Sequence, residues 1–152
     1  DTALDEAFRA VHIAEDLLKS DNPPRAILFE TALHGELLNL DEEDNKRHYA
    51  GGMSANRINA GLGTIISQLL ESCGREKIAG LYTTGGDTMV NVCYQLGVEC
   101  IEVMDYVIPQ TDIGRLVGSY DGLPIVGKGG LTGNDNTACD IVERLFRESA
   151  RK

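Results

Sequence analysis

Apolar positions in this chain recur at helical spacing in some stretches and crowd into short runs in others. Over residues 3–19, Leu4, Ala7, Phe8, Val11, Ala14, Leu17 and Leu18 fall three or four apart, while Asp5, Glu6, Arg9 and Asp16 take the other side. That pattern predicts an amphipathic helix. Thr2 stands where an N-cap belongs, and Asn22-Pro23-Pro24 ends the pattern. Residues 54–73 hold the longest stripe, Ile58, Leu62, Ile65, Ile66, Leu69, Leu70 and Cys73, with Ser54 as the expected cap and Gly74 as the stop. Gly61 and Gly63 each lower helix propensity by roughly 1 kcal/mol against Ala, a loss that close packing against a neighbour explains. Shorter helices are expected over 88–96, ending at Gly97, and over 136–148, where Ala138, Ile141, Val142, Leu145 and Phe146 share one side.

Short apolar runs predict strands at 25–30, 77–83, 98–106 and 123–127. Residues 34–52 include His34, the acidic run Asp41-Glu42-Glu43-Asp44 and Gly51-Gly52, and read as a surface connection. The acidic run is expected to be a solvated face or a helix start. Alternating helices and strands predict an α/β fold, a three-layer sandwich with a mainly parallel sheet covered by helices. A length of 152 residues makes residues 1–152 one domain.

Charge narrows the function. The chain carries 14 Lys+Arg against 24 Asp+Glu, a formal net charge of −10, so bulk charge draws it to neither nucleic acid nor an anionic membrane surface. No apolar run approaches the ~18 residues of a membrane span, and the acidic start is no secretory signal. A cytoplasmic location is expected. Because the chain lacks an initiator Met, it is expected to be processed or a piece of a longer protein. Cys73, Cys93, Cys100 and Cys139 form no C-x-x-C and stand at no zinc-finger spacing from His12, His34 or His48. They read as reduced, half-buried thiols, with no metal site.

Two segments carry candidate chemistry. Thr84-Gly85-Gly86-Asp87-Thr88 and Lys128-Gly129-Gly130-Leu131-Thr132-Gly133 each follow an expected strand and lead into an expected helix. In α/β sheets ligands collect at the carboxyl ends of strands. Glycines there let the backbone approach a ligand, and the helix N-terminus favours an anion. Lys128 would add positive charge, Thr84, Thr88 and Thr132 hydroxyls. Asp87 would cap the following helix or hold Mg²⁺ or its water shell. Neither segment matches the Walker or the dinucleotide pattern. Taken singly, the first also reads as a tight turn with an N-cap, and Lys128 as a surface lysine.

Together these segments resemble the C-terminal nucleotide-binding domain of the four-carbon acid sugar kinase family. That family has a Gly-Gly-Asp-Thr loop after a strand, here Gly85-Gly86-Asp87-Thr88. About forty residues later it has a lysine-glycine loop before its last helix, here residues 128–133. The resemblance is good over roughly 77–148. It implies binding of ATP phosphates, with Mg²⁺, by Thr84, Gly85, Gly86, Asp87, Thr88, Lys128, Gly129, Gly130 and Gly133. It further implies phosphorylation of acids such as threonate, erythronate or 3-oxo-tetronate. The acid-sugar site, and with it the catalytic base, would belong to a preceding N-terminal domain, so no catalytic residue is assigned here. A homo-oligomer is left open. The chain departs from the family in having Gly129 where Ser is usual and Thr132 where an aromatic residue is usual. Segment 105–112 also lacks the family's Pro-Gly pair. Lipid- or NAD-kinase types with a Gly-Gly-Asp loop want glycine at the position of Thr88. A ligand-sensing or assembly module of the same fold without chemistry is the alternative.

Overall fold

A computed structural model describes residues 3–151, so Thr2 and its expected capping role lie outside the described residues. The elements are α1 (Ala3–Lys19), α2 (Leu40–Lys46), α3 (Met53–Cys73), β1 (Leu81–Thr84), α4 (Gly86–Gln95), β2 (Val98–Ile108), β3 (Thr111–Gly118), β4 (Pro124–Lys128) and α5 (Thr137–Ser149). A short 3-10 turn, Arg75–Lys77, takes in Lys77, the first residue expected in this strand, and residues 78–80 are irregular, so β1 starts only at Leu81. Among the described residues no helix is long and apolar enough to cross a membrane.

The α/β class holds, but the sheet is mostly antiparallel. Its order is β1-β4-β3-β2, and only β1 and β4 run parallel. The difference arises at residues 111–118, where the sequence pattern predicts no strand. The Pro109-Gln110 turn folds this segment back on β2, and a tight turn can join only antiparallel neighbours. Gln110 adopts φ 61 to make the turn. Gly114 lets the strands close, since a Cβ there would sit 2.6 Å from the Glu102 carbonyl oxygen.

Strand alternation sends side chains to two faces. Leu116 and Ile125 pack with Leu123 against Leu70 of α3, Val92 of α4 and Leu96, the C-cap of α4. Ile113 and Val126 pack on the other face against Ile141 and Leu145 of α5. Helices therefore cover both faces. The long α3 serves two neighbours at once: Ile66 and Leu70 join the sheet core, while Ile65, Leu69 and Cys73 meet α1. Gly63 allows α4 to approach, since a Cβ there would lie 2.9 Å from the Asn91 carbonyl oxygen, whereas Gly61 has open space.

Three expectations change. α1 buries only the narrow stripe Ala7, Val11 and Ala14, and Leu4, Phe8 and Leu17 stay exposed. Residues 25–30 form no strand. Ile27 and Phe29 alternate inward as a strand would, yet they lie on α1 and α3, away from any sheet edge that could supply ladder bonds. Ser54 is not the cap of α3. Instead the buried Asp44 of α2 accepts the Gly52 N–H at 2.7 Å and the Ser54 N–H at 2.8 Å. Hydrogen bonding from Ser54, side chain first, holds the Asp44 carboxyl below the usual carboxylate range. The cysteines are free, with Cys73 buried, Cys93 partly so, and Cys100 and Cys139 exposed.

Candidate functional site

The one parallel pair decides where the two glycine segments go. In the β1–β4 ladder Thr84 stands opposite Lys128, so both segments leave the same end of the sheet as neighbours. The Gly85 N–H donates to the Lys128 carbonyl at 3.0 Å and ties them together. Sequence separation gave no hint of this bond. The β2–β3 turn reaches the same end, where the Gly129 N–H donates to the Gln110 carbonyl at 2.9 Å. Gln110 is thus a third wall of the site that spacing does not reveal. Its neighbour Thr111, cross-strand from Lys128, is fully buried, and its hydroxyl has no hydrogen-bond partner among the described residues.

At residues 84–88 the backbone turns sharply. Gly85 has φ 93 and is the N-cap of α4, a position that L side chains rarely adopt. Gly86 is already helical, and a Cβ built there meets nothing within 4 Å. The N–H groups of Gly86, Asp87 and Thr88 open α4 and so have no intrahelical acceptor. Asp87 does not cap the helix, because the cap is Gly85 and makes no side-chain bond. Its carboxylate is exposed, and its carbonyl accepts from the Asn91 side chain. Thr88 spends its hydroxyl on Asn59 of α3 at 2.9 Å. Thr84 bonds Tyr82. Burial pushes the Tyr82 phenol up, and that bond works against it.

At residues 128–133 the lysine turns onto its own loop. Lys128 Nζ donates to the carbonyls of Gly129 at 2.6 Å, Thr132 at 2.8 Å and Gly130 at 3.4 Å. The Thr132 hydroxyl also donates to the Gly129 carbonyl, at 3.1 Å. Gly133, at φ 98, starts the approach to α5, and a Cβ there would sit 2.5 Å from the Thr137 hydroxyl. Thr137 Oγ1 accepts the Asn134 N–H at 2.8 Å. Beside this loop lies a cavity of about 390 Å³ lined by Ile108, Pro109, Gln110, Thr132, Gly133, Asn134, Thr137 and Asp140.

A larger cavity, about 610 Å³, opens at the opposite end of the sheet among Arg75, Lys77, Arg115 and Arg151. There the buried Glu148 already binds Arg115 at 3.0 Å and Arg151 at 3.3 Å. The glycine end is the better candidate for a ligand, since it offers backbone donors without acceptors and glycines with open space beside them. Among the described residues no group of three or more His, Cys, Asp or Glu side chains gathers as a metal site.

Comparison with known proteins gives the family of the chain. The family described as nucleotide-binding C-terminal domain matches residues 1–138. The chain belongs to this family. A D-erythronate kinase of Heliobacterium modesticaldum is 44% identical to this nucleotide-binding domain over 93 residues, covering 60% of the chain and 21% of the kinase. A D-threonate kinase of Salmonella typhimurium is 35% identical over 87 residues, covering 57% and 20%. The domain thus spans about a fifth of the length of these curated relatives. A crystal structure from Bordetella bronchiseptica, described as a domain of unknown function with bound citrate and as a domain-swapped dimer, is similar at TM-score 0.57 and 28% identity. It covers 64% of this chain and 24% of that one. A second crystal form of the same protein gives TM-score 0.56 at 27% identity, with the same coverage.

Proposed function

We propose that this domain holds the phosphates of ATP or ADP between residues 84–88 and 128–133, as the nucleotide-binding part of a longer two-domain kinase acting on four-carbon sugar acids. The observation that carries the reading is the Gly85 N–H bond to the Lys128 carbonyl, which joins two glycine loops at one sheet end. Donors from both loops then converge on one volume. The N-terminal turn of α4 contributes Gly86, Asp87 and Thr88, and its dipole favours an anion. Gly129, Gly130 and Gly133 line the other wall, with the charge of Lys128 behind them. The neighbouring cavity, with Ile108 and Pro109 on one side and Asn134 on the other, has the size and mixed polarity of a small-molecule site and gives the nucleoside room.

Phosphoryl transfer asks the protein mainly for positioning and charge neutralisation. This chain's share is to fix the phosphates, and the base that takes the proton of the sugar hydroxyl is expected from the acid-sugar domain. Asp87 fits Mg²⁺, since that ion needs only one or two carboxylates besides phosphates and waters. Bound there, it would neutralise charge on the phosphoryl group. The names of the two kinases support erythronate or threonate as the acid, and the family resemblance adds 3-oxo-tetronate. The crystallised relative's dimer makes self-association a reasonable part of the proposal.

Calorimetry with MgATP and MgADP tests the reading. Saturable binding to the chain is expected, with no phosphorylation of erythronate or threonate by the chain alone. No heat at millimolar nucleotide would remove the site, and turnover by the chain alone would show that the acid-sugar site has been misplaced.

A further inference from the structure

An ammonium group has three hydrogens to donate. In Lys128 they meet three carbonyls of the following loop, those of Gly129, Gly130 and Thr132, at 2.6, 3.4 and 2.8 Å. A lysine so engaged has no hydrogen left for a ligand. The arrangement also fixes the loop's outward surface. In a trans peptide the C=O of one residue and the N–H of the next point in opposite directions. Drawing the Gly129, Gly130 and Thr132 carbonyls in toward the ammonium therefore turns the N–H groups of Gly130, Leu131 and Gly133 away from it. None of these three has an acceptor among the described residues.

We infer that Lys128 is a positioning residue for the phosphates: it holds the loop's carbonyls inward, so that the N–H groups of Gly130, Leu131 and Gly133 face the ligand, and makes no direct phosphate contact. The inference rests on the nucleotide reading above. It is favoured by what the alternative would cost. To reach a phosphate oxygen, Nζ would have to release the Gly129 and Thr132 carbonyls, which have no other donor close by except the Thr132 hydroxyl on Gly129. Leaving polar groups without partners is more costly than never having formed their bonds. Held in place, the ammonium still lends its positive field to the amide layer in front of it. Gly129 joins the device from the other side, since its own N–H is anchored on Gln110 and cannot swing outward.

The test uses wild type, Lys128→Met and Lys128→Arg. Amide heteronuclear NOE values for Gly130, Leu131 and Gly133 are measured without nucleotide, ADP affinity by calorimetry, and folding by thermal melts. Methionine removes the donor at similar length. Arginine keeps the charge and can reach a phosphate, but its planar fork does not fit a three-carbonyl cage. The expected result is that loop order falls in Lys128→Met before any ADP is added, and that both variants bind ADP about tenfold more weakly, the order that one charge-assisted contact carries. If Lys128→Arg binds ADP as well as wild type, or if loop order is unchanged in Lys128→Met, the lysine is a direct phosphate ligand and the inference is overturned. A lower melting temperature with unchanged ADP affinity would overturn it too, by making the lysine merely structural. Should wild type itself fail to bind ADP, the nucleotide reading fails first and the inference with it.

Discussion

Gly85, Gly86 and Gly133 stand within a few residues of the same site and do different work. Gly85 and Gly133 hold positive φ, 93 and 98, and shape the two loops. Gly86 has ordinary helical geometry and no atom near its missing side chain. Glycine at 86 therefore has no conformational reason, and the open space beside it is what a phosphate would use. Gly86→Ala is expected to keep the melting temperature or raise it, by up to about 1 kcal/mol through the unfolded chain, while ADP binding falls. Gly133→Ala should do the reverse at first, costing at least about 1 kcal/mol of stability through backbone strain and its clash with Thr137. Melts and ADP titrations of the two variants side by side check this. An alanine at 86 that binds ADP like wild type would remove the reason offered for that glycine.

Among the elements, α2 and the segment after α1 were hardest to foresee. The acidic run reads as a helix start, and so it is, but which of its four carboxylates turns inward depends on where α3 begins. Asp44 alone is buried, because the Gly52 and Ser54 N–H groups lie eight and ten residues away and meet it only in the folded chain. Its carboxyl is held below its ordinary value, so the stability it contributes is present above the unfolded-state pKa of about 3.9 and is lost as pH falls through the lower folded-state value. Asp44→Asn should lower the melting temperature at neutral pH and lose part of its acid dependence. Melts from neutral to acidic pH check both, and parallel curves for the two proteins would show that Asp44 does not cap α3. Residues 25–30 show the limit of periodicity from the other side. The short apolar run there predicts a strand, yet a run of that length is silent on whether a sheet or two helices will receive Ile27 and Phe29, and it is α1 and α3 that do. Phe29→Ala should cost roughly 2 kcal/mol, about half of what a fully buried Phe carries, while Leu28→Ser, at a side chain 74% exposed, should leave the denaturation midpoint unchanged. The strand β3 was illegible for a related reason: Gly114 and Gly118 look like loop residues, and only the close approach of β2 explains the first of them.

At the scale of the whole molecule, the sheet converts two sequence-distant loops into one wall. Their layout, each after a strand and before a helix, was legible in the sequence. So was the expectation that both loops serve one phosphate site; the strand pairing that makes them neighbours was not, because it sets β1 beside β4 across a crossover and an inserted hairpin. Net charge of −10 works against an anionic nucleotide at long range, so any binding has to come from local donors. Two ends of the sheet compete for that role. The glycine end has outward amides and a cavity of about 390 Å³, and the arginine end has a cavity of about 610 Å³ whose cations Glu148 partly neutralises. An ADP titration followed by amide chemical shifts, with Mg²⁺ present, decides between them directly. The expected result is saturable shifts concentrated at residues 85–88 and 129–133, with Gln110 following and Arg75, Lys77 and Arg115 unmoved. Shifts centred on Arg75, Arg115 and Arg151, or none at saturating ADP, would contradict the assignment of the two glycine loops as the nucleotide site.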